Sequence, residues 1–244
     1  MTTPTIATRE QWQAARDELL AREKEHTHAA DDLARARREL PWLPVDKTYT
    51  LQTTDGPRTL AELFDGRSQL VIYHFMFGPD YAHGCPVCSS IADSFNGVLE
   101  QLKARDTTMI AVSQAPVEKL AAEAARLGWD FNWVSSFQSD FNADFHHTVS
   151  IEQANAWVPG APPIVTQNAS DCGTDAAGYM AQRPGLSVFA LHDGEVYLTY
   201  ASGNRGLEVI MTYYGILDRT PLGRNEGEPA YPTWMRRHDE FAAA

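Results

Sequence analysis

The sequence predicts an α/β fold, with a parallel-rich central sheet covered by helices on both faces. Three observations point to it. From Val45 onward, strand-like and helix-like segments alternate. Two short runs, residues 70–77 (LVIYHFMF) and 107–113 (TTMIAVS), have the composition of central strands buried on both faces. A CxxC pair, Cys85-Pro86-Val87-Cys88, follows the first run and opens a helical pattern.

The elements follow in order. Residues 9–40 read as one long helix, with Thr8 and Gln11 spaced as a capping box. Trp12, Ala15 and Leu19 recur at helical spacing, as do Leu33, Ala36 and Leu40. Glu18/Arg22 and Asp31/Arg35 add i,i+4 pairs, and Pro41 stops the helix. Residues 22–28 lack an apolar face, so the arm is expected to be a solvated helix over the core or a packing surface for a second subunit. Residues 45–51 alternate as a strand and end at the turn Thr54-Asp55-Gly56-Pro57. Residues 60–64 form a short helical turn closed by Asp65-Gly66.

A loop over residues 78–84 leads to the cysteines, and residues 85–104 read as a helix with Ile91, Phe95, Val98, Leu99 and Leu102 on one side. Residues 117–127 form another helix, with Pro116 before it and Gly128 just past it. Residues 133–136 are strand-like. Residues 150–184, rich in Pro, Gly, Ala, Asn and Asp without a period, read as a long loop or insertion. Residues 186–191 and 195–201 form a hairpin around His192-Asp193-Gly194, and residues 205–217 close the domain as a helix. The expected organisation is an N-terminal arm (1–41), an α/β domain (42–220, with the insertion at 150–184) and a polar tail (221–244).

Composition excludes several classes. The 244 residues, 43% of them hydrophobic, suffice for one sizeable core and an appendage. A formal net charge of −12 repels phosphate backbones, which argues against nucleic-acid binding. No apolar run approaches the roughly 18–20 residues of a membrane helix. The N-terminus has no basic region followed by an apolar core, so it does not read as a secretory signal. Three cysteines are too few for a disulfide scaffold, and a reducing cytoplasmic setting is expected.

The chemistry therefore centres on Cys85 and Cys88. At a helix N-terminus, unpaired amides and the helix dipole stabilise a thiolate, which favours Cys85 as nucleophile. Pro86 suits the first turn because its missing N–H would be unpaired there. Cys88, one turn on, is placed to resolve a mixed disulfide. This reading needs no cofactor, and its partner is a thiol or disulfide, on a protein or a small molecule. The competing reading is a copper or zinc site built from Cys85 and Cys88 with His74, His83 and His146. His146 and His147 are adjacent, so at most one faces such a site. A third reading is a non-catalytic scaffold. Cys172, in the insertion, reads as an unpaired surface thiol. Asp80, Tyr81, Asp140, Asp144 and the serines 113, 135 and 136 are weaker candidates for the same cleft.

The runs YHFMFGP (73–79), GCPVCS (84–89), WVSS (133–136), SDFN (139–142) and GLSVF (185–189) together resemble an uncharacterised bacterial thioredoxin-like family that carries a domain-of-unknown-function label. Its members are often labelled predicted dithiol-disulfide oxidoreductases. The resemblance extends over about residues 8–228. It implies a thioredoxin-like fold related to the peroxiredoxin and copper-chaperone branches, with the family CxxC at Cys85 and Cys88 and its strand histidine at His74. Pro184 lies near the position where thioredoxins place a proline opposite the cysteines. No threonine occupies residues 78–84, unlike the peroxiredoxin motif, so disulfide exchange is expected rather than peroxidase activity.

Overall fold

The structure, a computed structural model, describes residues 4–226 and 233–241. The chain divides into two compact units, residues 1–42 and 43–244.

In the first unit, α1 (Arg9–Arg38) opens on the capping box: Thr8 Oγ accepts from the Gln11 N–H, and the Gln11 side chain accepts from the Thr8 N–H. Arg35, Arg37 and Arg38 complement the dipole at its end. The helix stops two residues before the expected boundary, because Pro41 disfavours helical backbone at Leu40.

The second unit contains, in chain order, β1 (Leu43–Pro44), β2 (Thr50–Thr53), β3 (Gly56–Thr59), β4 (Gln69–His74), α2 (Pro86–Ala92), α3 (Leu99–Lys103), β5 (Thr107–Ser113), α4 (Val117–Leu127), β6 (Asn132–Ser135), α5 (Phe141–Asp144), α6 (Ile151–Trp157), α7 (Pro163–Cys172), α8 (Ala176–Met180), β7 (Gly185–His192), β8 (Glu195–Gly203) and α9 (Thr212–Leu217). The strands form one sheet in the order β1-β8-β7-β4-β5-β6-β2-β3. Central β4 runs parallel to β5, reached through α2 and α3, and antiparallel to β7, the first strand of the β7–β8 hairpin. This is a thioredoxin-like fold. Among the described residues, no helix is long and apolar enough to cross a membrane.

The sheet is not parallel-rich as expected: among the described residues only β4–β5 and β5–β6 are parallel, and the other five pairings are antiparallel. Four local expectations also need correction. Residues 45–51 are not one strand. Residues 43–44 pair with β8 at one sheet edge and residues 50–53 with β3 and β6 towards the other, so the segment between them crosses the sheet. The 85–104 helix is two helices. Between them Phe95 is buried against Tyr73 and Phe131, and the Asn96 side chain donates to Gly128 O and accepts from the Asp130 N–H. The 205–217 helix begins as 3₁₀ turns over Asn204–Ile210 and becomes α-helical only after Met211, whose ψ of 79° interrupts it.

The 150–184 segment is helical rather than a long loop. Ser150 forms a capping box with Gln153, Pro163 occupies the first turn of α7, Gly173 ends it in left-handed conformation, and Asp175 caps α8. Its helices are short and stop-rich, so no period emerges from the sequence. Of the tail at 221–244, the structure describes residues 221–226 and 233–241.

Strand alternation divides the interior into two layers. Tyr73 and Phe75 pack on one face of the sheet with α2, Trp129 and Trp133. Leu70 and Ile72 pack on the other with Phe64, Phe141 and Phe189, and His74 stacks on Phe141 with ring centroids 5.8 Å apart.

Candidate redox site

Cys85 is the N-cap of α2, extended at φ −57° and ψ 130°, with Pro86 in the first turn. The loop before it is tied down from several sides. Tyr81 Oη donates to Gly178 O at 3.0 Å, and Lys119 Nζ donates to Pro79 O at 2.9 Å and Tyr81 O at 3.0 Å. The Gly84 N–H donates to Glu123 Oε1 at 3.2 Å, and the Gly84 carbonyl accepts two bonds from Arg237, at 3.1 and 2.7 Å. Both backbone groups of the residue before Cys85 are thus held by buried charged side chains.

All three cysteines are free thiols and buried, Cys85 and Cys88 at 1% exposure and Cys172 at 0%. The expectation of a surface thiol at Cys172 is therefore wrong. The insertion folds over the motif: the Ala82 and His83 N–H groups donate to Cys172 O at the end of α7, and the Cys172 thiol is buried in the same cluster as Cys85 and Cys88. Tyr179 Oη, from α8, lies 3.3 Å from the same sulfur. Asn168 Nδ2 donates to Tyr179 Oη at 3.0 Å, which leaves the phenolic proton available to the sulfur.

The three thiols titrate together, and their environments separate them. Burial pushes the Cys85 thiol up, but hydrogen bonds from the Cys172 and Cys88 thiols, the Tyr179 phenol and the Cys88 N–H outweigh it and hold Cys85 well below the ordinary thiol range. Burial pushes Cys88 up, and its hydrogen bond to the Cys85 sulfur and that sulfur's charge push it further. Cys172 is raised by its hydrogen bond to Cys85, then by burial. Tyr179 is raised by burial and by the charge on Cys85. The arrangement is one acceptor, Cys85, surrounded by groups that keep their protons.

The residues of the metal reading are not brought together. His74 points to the opposite face of β4 from Tyr73, where its Nε2 lies 2.9 Å from Ser187 Oγ and its ring stacks on His147 with centroids 3.5 Å apart. His83 is exposed, with Nδ1 at 3.5 Å from Glu123 Oε2. His146 is exposed, at a positive φ of 64°. Among the described residues, no group of three or more His, Cys, Asp or Glu is arranged to hold a metal ion. Of the weaker candidates, Asp80 is exposed and the others have partners of their own. Lys47 Nζ donates to Asp140 and Asp144 at 2.8 and 2.7 Å, and Ser113, Ser135 and Ser136 hydrogen-bond backbone carbonyls.

Sequence reasoning missed Tyr179, Asn168, Glu123 and Arg237. Only Glu123 left a signal: it shares the buried face of α4 with Leu120 and Leu127, an acid on an apolar stripe.

A family model described as "Bacterial protein of unknown function (DUF899)" matches residues 1–241. The chain belongs to the DUF899 family. No curated protein matches this DUF899 sequence. Among solved structures, it is similar to peroxidoxin BcpB from Mycobacterium tuberculosis, at 14% identity and a TM-score of 0.47, over 71% of this chain and 96% of that one. It is also similar to peroxiredoxin Q from Xanthomonas campestris, at 15% identity and 0.45, over 68% and 88%. Thioredoxin peroxidase I from Plasmodium yoelii gives 11% identity and 0.42, over 72% and 91%.

Proposed function

We propose that this DUF899 protein is a thiol–disulfide oxidoreductase in which Cys85 is the nucleophile and Cys88 the resolving thiol. One observation carries the reading: the donors around Cys85 converge on a single sulfur and favour its thiolate, while its neighbours stay protonated. The Cys85 thiolate attacks one sulfur of a substrate disulfide and expels a thiolate. Cys88 then attacks Cys85, expels the second substrate thiolate and leaves a Cys85–Cys88 disulfide. Two electrons pass from the dithiol to the substrate, and the released thiolates take up the protons. The raised Cys88 suits the second step, since it holds its proton until Cys85 has reacted. Burial of Cys85 under Cys172 and Tyr179 favours a small disulfide, or a protein disulfide admitted when α7 and α8 move aside.

Incubation of the reduced protein with glutathione disulfide tests this. Wild type is expected to release two glutathione molecules per chain and to gain one internal disulfide at Cys85. Cys85→Ser is expected to release none. A Cys85→Ser variant that reacts at the wild-type rate contradicts the assignment.

A further inference from the structure

Cys172 has no part in the two-cysteine exchange just described, yet the fold positions it with care. It is the last residue of α7, and its carbonyl accepts from the Ala82 N–H at 2.8 Å and the His83 N–H at 3.3 Å. The next residue, Gly173, sits at φ 69° so close to the approach loop that a Cβ there would lie 2.7 Å from Ala82 Cβ. A single buried guanidinium spans the two segments. Arg237 Nη2 donates to Gly84 O at 2.7 Å and to Asp171 O at 2.8 Å, the carbonyls immediately preceding Cys85 and Cys172. Glu240 and Glu123 hold that guanidinium in turn. The clamp fixes the backbones entering both cysteines, and the two buried thiols lie in one packed cluster with Cys88.

We propose that Cys172 is a third redox cysteine, which forms an alternative disulfide with Cys85 and can resolve a Cys85 mixed disulfide without Cys88. The inference rests on the exchange reading above. In the mixed disulfide Cys85–S–S–R, the Cys172 sulfur bonds to the Cys85 sulfur, the bond to R–S breaks, and the departing thiolate takes the Cys172 proton. From a Cys85–Cys88 disulfide, the same attack on Cys85 expels Cys88, which takes the proton. Neither step needs an oxidant beyond the substrate disulfide. The product ties the end of α7 covalently to the motif and fastens the 150–184 segment over it.

The test uses the full chain, reduced and then treated with glutathione disulfide, with every cysteine mapped by mass spectrometry without reduction. Cys88→Ser is expected to carry a Cys85–Cys172 crosslink and no lasting adduct. Cys88→Ser/Cys172→Ser is expected to retain glutathione on Cys85, and Cys88→Ser/Cys172→Ala repeats that measurement with an apolar replacement in case serine disturbs the packed site. A Cys88→Ser protein that keeps glutathione on Cys85 with Cys172 as a free thiol overturns the role of Cys172 and leaves the exchange reading standing. An unmodified Cys85 in Cys88→Ser and in both double variants, each shown to be folded by circular dichroism, overturns the exchange reading and this one with it.

Discussion

Tyr73 and His74 are neighbours on β4, and they face two differently built interiors. On the Tyr73 face three thiols and the Tyr179 phenol cluster beside the buried Glu123 and Arg237 side chains, and Tyr179 Oη lies 3.3 Å from the Cys85 sulfur. On the His74 face two imidazoles stack against each other, and among the described residues only Ser187 hydrogen-bonds to either ring through its side chain. The Nδ1 atoms of His74 and His147 have no hydrogen-bond partner among the described residues. Burial pushes both histidines down, His147 to about 4, so this face holds neutral rings. Burial is the shared condition, and the converging donors make the difference. Where they exist, the charged form wins in spite of burial, and where they do not, it is suppressed.

The largest change expected on the cysteine face comes from Arg237→Ala. It leaves the Gly84 and Asp171 carbonyls without their buried donor, while Glu123 keeps Arg126 at 2.9 Å, and should cost about 1–3 kcal/mol per carbonyl in urea unfolding. A loss no greater than a surface substitution gives would show that the clamp does not hold the site.

On the histidine face, acid should be destabilising. The unfolded chain binds a proton at His147 near 6.5 and the folded chain only near 4. Stability is therefore intact above pH 6.5 and falls as the pH drops to 4, by about 1.4 kcal/mol per unit and about 3 kcal/mol in all. His74, also lowered by burial, adds in the same direction. His147→Gln should flatten that decline, and an unchanged slope would remove His147 from the account.

Gly185→Ala probes the packing behind the same pair, since a Cβ would lie 1.9 Å from His147 Cε1. Overpacking there should lower the unfolding free energy by about 1–3 kcal/mol without altering reactivity at Cys85. The smallest effect returns to the cysteine face. Tyr179→Phe removes one donor from the Cys85 sulfur and should slow its alkylation by iodoacetamide below neutral pH roughly tenfold, the worth of one hydrogen bond to a charged group. Equal rates in the two proteins would mean that the phenol does not stabilise the thiolate.

The comparison also shows what a single sequence makes legible. The buried strands, α4, the β7–β8 hairpin and the position of Cys85 at a helix start follow from local periodicity and turn chemistry, and the structure has them. His74 on a strand was visible, but its face was not: a side chain at the end of a strand that leads to a cysteine loop can lie on either side of a sheet, and register decides. Cys172, Tyr179 and Arg237 reach the site through three separate segments, two of them short helices and a tail without period. Their convergence on Cys85 is a tertiary fact that no local pattern encodes.

The most direct test of the account is the ultraviolet absorbance of thiolate, followed as a function of pH in the reduced protein. It needs no reagent to enter the buried site. The account predicts one thiolate per chain that persists well below the ordinary thiol range, is absent from Cys85→Ser, and has a weaker hold on its charge in Tyr179→Phe. A protein whose thiolate absorbance rises only in the ordinary thiol range, or whose low-pH thiolate survives in Cys85→Ser, would contradict it.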